Sequence, residues 1–203
     1  FGLLEVFSRA VGEAAGPGNA LFFATPLLAL ASVAATSVCA TAVCPFEAVR
    51  ILSVRSGESS SAVLKQQVEA EGVASLFRGL PALLLKEIPF VVTKFVVFDR
   101  VTATITEAFP ELYETAAFAA ALPFLAGAVA GFASVLASQP ADVVLTRTNE
   151  EGATLQGAIA DLGAQPELVL EGLAPRLLFG VLLVTLQFVL YTQLRASLGV
   201  AKT

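Results

Sequence analysis

Lys86 and Lys94 stand eight residues apart in an otherwise apolar stretch, with Glu87 beside the first and Pro89 between them. Eight residues is slightly over two helical turns, which puts both ammonium groups near one face. Charges at membrane depth are costly unless they pair or face water, so two cations held there suit an anionic solute. Snorkelling to an interface accounts for Lys86 better than for the deeper Lys94. Arg176 and Gln187, about three turns apart, share a second such face. Arginine offers a rigid donor fork that matches carboxylate or phosphate oxygens, although at a helix start it also serves as an interfacial anchor. A third pattern is a proline followed two positions later by an acid: Pro45 with Glu47 and then Arg50, and Pro140 with Asp142. Proline removes a backbone donor and kinks or breaks the helix, and Glu47 and Arg50, one turn apart, then face neighbouring helices.

Other chemistries are excluded by residue type. The chain has 203 residues and no histidine, so a Ser-His-Asp triad, a Cys-His pair and a histidine metal site are impossible. Cys39 and Cys44 match no zinc spacing, and five apart on a helix they lie on different faces as small packing residues. Nothing pairs a nucleophile with a base, so the chain is not read as an enzyme. A net charge of −5 argues against nucleic acid, which rewards basic surfaces.

The elements that position these residues are membrane helices. The chain is 56% hydrophobic and only 14% charged, too apolar for an ordinary soluble domain. No charge interrupts the runs between Glu13 and Glu47 or between Glu114 and Asp142, and each exceeds the ~20 residues that cross a hydrocarbon core. Leu177 to Leu194 is a third uncharged run. In lipid the backbone must satisfy itself, so the expectation is all-α. Full spans are expected over 21–53, 81–106, 116–148 and 174–197, with the end of another over 1–10 and short interfacial helices over 61–70 and 154–162. Gly127 and Gly131 form a GxxxG element that lets helices approach closely. Phe1 to Phe7 is too short to span and reads as the tail of a helix.

A hydrophobic span, a proline, an acid, a polar interval and then Glu-Gly occur twice, with Glu71-Gly72 and Phe77-Arg78-Gly79 after the first and Glu171-Gly172 after the second. This layout resembles the mitochondrial carrier family. Within it, the blocks CPFEAV at 44–49, KEIPFVVTKFVVFD at 86–99, Pro140-Ala141-Asp142, Gly152-Ala153-Thr154, Arg176 and Leu186-Gln187 with Tyr191 are similar to phosphate carriers in order and spacing. The resemblance implies a carrier-type helical bundle of pseudo-repeats: residues 1–12 as the end of helix two of a first repeat, 20–107 as the second repeat and 114–199 as the third. It further implies phosphate–proton symport by alternating access in the mitochondrial inner membrane, with a plastid membrane as the other location. Lys86, Glu87, Lys94, Arg176 and Gln187 would bind the solute. Glu47, Arg50 and Asp142 would form the matrix gate, Asp99 and Arg195 the opposite gate, and Pro45, Pro89 and Pro140 the kinks. By residue chemistry, and apart from the resemblance, in which a neutral amide is expected at this position, Glu87 is the candidate to hold the proton, because a carboxylate in an apolar span is desolvated. A static Lys86–Glu87 contact without titration is the alternative. No cofactor or metal is implied; a bound lipid such as cardiolipin, the bilayer and other membrane subunits are the companions considered.

Several residues depart from the family pattern. Leu145 stands where a base would close the gate with Glu47, Thr192 stands where an acid is expected, and Arg50 and Asp142 would find their partners on a helix outside this sequence. Arg147, on another face, is the substitute base considered. Glu150, Glu151, Asp161, Glu167 and Glu171 follow one another without a base. These departures keep two alternatives open: a carrier-derived structural subunit that no longer transports, and a carrier for another solute such as S-adenosylmethionine, whose positive charge Glu87 would accept.

Overall fold

The computed structural model describes residues 1–16, 18–19, 23–148 and 155–198, so Glu150, Glu151 and Gly152-Ala153-Thr154 lie outside the described residues. Among the described residues the chain is helical, with no strand: α1 (Gly2–Ala15), α2 (Ala24–Ser56), α3 (Ser60–Glu71), α4 (Leu80–Ala108), α5 (Pro110–Tyr113), α6 (Ala116–Thr148), α7 (Leu155–Ala164) and α8 (Leu173–Ser197). The all-α bundle is the expected fold. By length and composition α2, α6 and α8 can cross a membrane. The expected fourth span, α4, has 29 residues, about 43 Å of helix. Lys86, Glu87, Lys94, Asp99 and Arg100 take its composition out of the plainly apolar class.

Local chemistry sets the boundaries. Gly57, with φ 71, closes α2 in the left-handed conformation that side chains disfavour. The Ser59 hydroxyl accepts from the Ala62 amide and caps α3, which starts at Ser60, one residue before the expected 61. α2 runs unbroken through Pro45, α4 through Pro89, and α6 through Pro123 and Pro140. The prolines therefore remove single hydrogen bonds without ending a helix. α3 and α7 each follow a long helix and precede the next, which brings both to the same end of the bundle.

The long helices pack in chain order, α1 on α2, α2 on α4, α4 on α6 and α6 on α8. The tightest seam is α6 against α8. A Cβ added at Gly127 would stand 2.9 Å from Thr185 Cα, and one at Gly131 would stand 2.9 Å from Val181 Cα. Such backbone approach is possible only without side chains, and in lipid it supplies the dispersion contacts that water would otherwise not drive. On α8 two stripes separate by spacing alone. Gly180, Val184 and Phe188 are buried, whereas Leu182, Leu186, Leu190 and Leu194 are exposed, the side a bilayer would cover. Phe95, Ala130, Val184 and Phe188 form the core where α4, α6 and α8 meet.

The backbone also resets the register of the internal repeat. A five-residue 3-10 turn, Val73–Phe77, precedes Arg78-Gly79 and α4; a second, Pro166–Leu170, precedes Glu171-Gly172 and α8. Glu171-Gly172 is thus the positional equivalent of Arg78-Gly79, not of Glu71-Gly72. The shared dipeptide misled the reading by sequence, because the same two letters fall on opposite sides of the turn.

Gly131→Leu should overpack the α6–α8 seam at a cost of about 1–3 kcal/mol. In detergent its thermal midpoint should fall clearly below that of the parent, while Leu186→Ala on the exposed stripe should shift it little. Equal midpoints for Gly131→Leu and the parent would show that the seam is not close-packed.

Candidate functional site

A cavity of about 510 Å³ opens between α2 and α4, with α1 and α8 contributing to its walls. Glu47 and Arg50 reach it from α2, Lys86, Glu87 and Lys94 from α4, and Gln187 from α8. The spacing on α4 puts both lysines on the cavity wall, two turns apart. Three cations face two carboxylates, so the lining carries one net positive charge. Arg50 Nη2 lies 2.7 Å from Glu47 Oε2, and Lys86 Nζ lies 3.6 Å from Glu87 Oε1. Both pairs close within a single helix and leave nothing over for a solute charge.

Lys94 differs from the other cations. It is only 8% exposed and makes no ion pair among the described residues. Its ammonium donates to Gln187 Oε1 at 3.4 Å and lies 4.7, 5.6 and 6.0 Å from the ring centroids of Phe95, Phe1 and Phe90. Ring faces and one amide oxygen stabilise a cation without neutralising it. What this end of the cavity can do chemically is receive an anion.

Arg176, expected beside Lys94, lies elsewhere. Its guanidinium sits 3.1 Å from Asp142 Oδ2, donates to Gln139 Oε1 at 2.7 Å and donates to Ser138 Oγ at 2.9 Å. Gln139 is 2% exposed and spends its amide on the Val169 and Glu171 carbonyls, at 2.9 and 3.1 Å. Arg147 Nη2 pairs with Glu171 Oε2 at 2.9 Å. α6 is thereby locked to the start of α8 and to the turn before it. Two expectations change as a result. Asp142 finds its partner within this chain, and Arg147 turns to Glu171, not to Glu47. Arg176 sits at the first turn of α8, too near the helix start to share the cavity with Gln187 three turns on.

At the opposite end, Arg195 Nη2 lies 3.9 Å from Glu5 Oε1 and its Nη1 donates to the Tyr191 hydroxyl at 3.3 Å. Asp99, expected as its partner, is exposed and forms no ion pair among the described residues. Glu5 on α1 takes that place, and Phe1 stacks on Tyr191 with centroids 4.3 Å apart. Cys39 is exposed toward the cavity, Cys44 is buried, and both are free thiols.

Ser138 and Gln139 were not singled out by sequence, and Glu171 and Glu5 were not read there as the partners of Arg147 and Arg195. Gln139 had a usable signal, a long amide side chain within an uncharged span and directly before Pro140. Glu5 had a weaker one, a single acid in the apolar opening text.

Asp142→Asn and Arg176→Gln should each destabilise the protein, because each leaves one half-buried charge without its partner. Chemical unfolding of the singles and the double should return a coupling of about 0.5–3 kcal/mol. Strict additivity would show that the two side chains do not act together.

Residues 22–109 match the model of the family described as mitochondrial carrier protein. The whole chain is 27% identical to the mitochondrial phosphate carrier protein of Caenorhabditis elegans, covering 61% of that relative. Over 74% of this chain it is 32% identical to mitochondrial substrate carrier family protein N of Dictyostelium discoideum, covering 53% of it. Over 71% of this chain it is 31% identical to the mitochondrial glycine transporter of Rattus norvegicus, covering 45% of it. The chain thus spans roughly half of the length of the curated relatives it matches, and no solved structure matches it. Its helical bundle, its proline-and-acid segments and these matches agree: residues 22–109 match the mitochondrial carrier family, and the chain as a whole is similar to carriers of that family.

Proposed function

We propose that the protein is a solute carrier of the mitochondrial inner membrane whose cavity takes inorganic phosphate. The observation that carries this reading is Lys94, a buried cation facing the cavity with an amide and aromatic rings around it and no carboxylate paired to it. An uncompensated charge at that depth is stabilised by a solute of opposite sign. The phosphate carriers among the relatives are consistent with that solute. In this reading residues 20–107 and 114–199 are two carrier repeats, and residues 1–12 belong to the repeat before them. The Glu5–Arg195 pair joins α1 to α8 toward one end of the bundle, where it would open and close in alternating access. Glu47 and Arg50 on α2 would exchange their mutual pairing for partners on other helices to close the opposite end. Glu87, against Lys86 and on the cavity wall, would hold the co-transported proton.

A second reading, a carrier-derived structural subunit, draws on one observation. Glu47 and Arg50 pair along a single helix and Asp99 has no ion pair, so these gate positions do not bridge helices among the described residues. Transport assays separate the two readings.

Lys94→Ala in the full-length protein should lower initial phosphate uptake by liposomes about tenfold or more, the loss expected on deleting a charge-assisted hydrogen bond of about 1.5–3 kcal/mol. Arg176→Ala should instead act first on the thermal midpoint. Uptake by Lys94→Ala at the parent rate would remove the anion site, and a parent indifferent to phosphate would favour the structural subunit.

Glu87→Gln should leave phosphate/phosphate exchange intact and remove the dependence of net uptake on a pH gradient. An unchanged dependence would place the proton on another residue.

A further inference from the structure

We propose that Thr36 of α2 is a solute-contacting residue of this cavity, supplying a neutral hydroxyl to an oxygen of the bound oxyanion; this rests on the reading of the cavity as an anion site. Thr36 lines the cavity and is only 6% exposed, and its Oγ1 is buried with no hydrogen-bond partner. Thr25, in the first turn of α2, shares that state, but three hydroxyls around Thr36 show how easily it is avoided. Ser32 donates to the Leu28 carbonyl at 2.7 Å, Ser37 to the Val33 carbonyl at 2.8 Å, and Thr41 to the Ser37 carbonyl at 2.8 Å. Each uses the carbonyl four residues back, the usual refuge of a helical hydroxyl. Thr36 does not use the Ser32 carbonyl, although threonine in a helix populates a rotamer that reaches it.

A buried hydroxyl without a partner is destabilising, and every such group in a folded protein calls for an explanation. Of the buried side-chain hydroxyls without a hydrogen-bond partner among the described residues, on Thr25, Thr36 and Thr102, that of Thr36 belongs to a residue on this cavity. Its neighbours on the wall are small: Ala35, Cys39 and Ala40. They leave room for a solute to come close to α2, facing the lysines of α4. A cation alone attracts any anion. A hydroxyl adds a directional contact that an oxyanion can accept and a protonated oxyanion can also return, because a hydroxyl both donates and accepts. Lys94 would thus supply attraction and Thr36 selection among anions.

The isosteric Thr36→Val and the hydroxyl-retaining Thr36→Ser, made in the full-length protein, test this. Measured without solute in detergent, Thr36→Val should have a thermal midpoint equal to or above that of the parent, because it deletes an unpartnered hydroxyl. In liposomes it should raise the KM for phosphate about tenfold, while Thr36→Ser stays within about threefold of the parent. A lower midpoint for Thr36→Val would mean that the hydroxyl is satisfied within the fold and would overturn the proposal. An unchanged KM in Thr36→Val, with the parent transporting phosphate, would overturn it while leaving the phosphate reading in place. A parent that transports no phosphate would overturn that reading and, with it, the solute assigned to Thr36.

Discussion

Charge inside an apolar bundle must be compensated, and the arrangement of this chain follows from how each charge meets that demand. Desolvation makes an isolated ion at such depth more costly than any single packing contact can offset. Asp142 meets Arg176, Arg147 meets Glu171, Glu47 meets Arg50, Lys86 meets Glu87 and Arg195 meets Glu5. Lys94 is met by an amide oxygen and three aromatic faces. That contrast is what turns a space between helices into a candidate site.

The two halves of the bundle answer the same demand differently. α6 and α8 touch backbone to backbone at Gly127 and Gly131, and the Gln139–Arg176–Asp142 network ties their polar ends together. Between α2 and α4 the ion pairs stay within one helix, and the cavity occupies the gap. A tight pair beside a looser pair gives the site one firm wall, carrying Gln187, and one wall whose helices share few polar ties. Such a division suits a protein that must change shape around a solute while keeping its core closed.

Much of the fold was legible in the sequence because lipid restricts the options. Uncharged runs of sufficient length become helices. The expected spans over 21–53, 116–148 and 174–197 agree with α2, α6 and α8 to within a few residues, while α4 is a helix where expected but too charged to count as a plainly apolar span. GxxxG at Gly127 and Gly131 signalled the seam, since only absent side chains allow that approach. The site was harder to read. Helical spacing correctly suggested that Lys86 and Lys94 share a face, but it says nothing about which neighbour a face meets. Arg176 was drawn to the cavity by residue type, whereas its position at the first turn of α8 brings it to Asp142. Thr36 could not be seen at all, because a threonine in a helix normally satisfies itself and only the fold reveals one that does not.

The central claim is that the cavity is built for an anion, and direct binding to the purified full-length protein tests it most plainly. Thermal unfolding in detergent should be followed at fixed ionic strength with phosphate, with chloride and with S-adenosylmethionine as an organic cation. A ligand that binds only the folded state raises the midpoint by an amount that grows with the logarithm of its concentration relative to its Kd. The account predicts a concentration-dependent rise with phosphate beyond that with chloride, and none with the cation. Stabilisation by the cation without stabilisation by phosphate would contradict it, because the cavity would then be answering to Glu47 and Glu87 and not to Lys94.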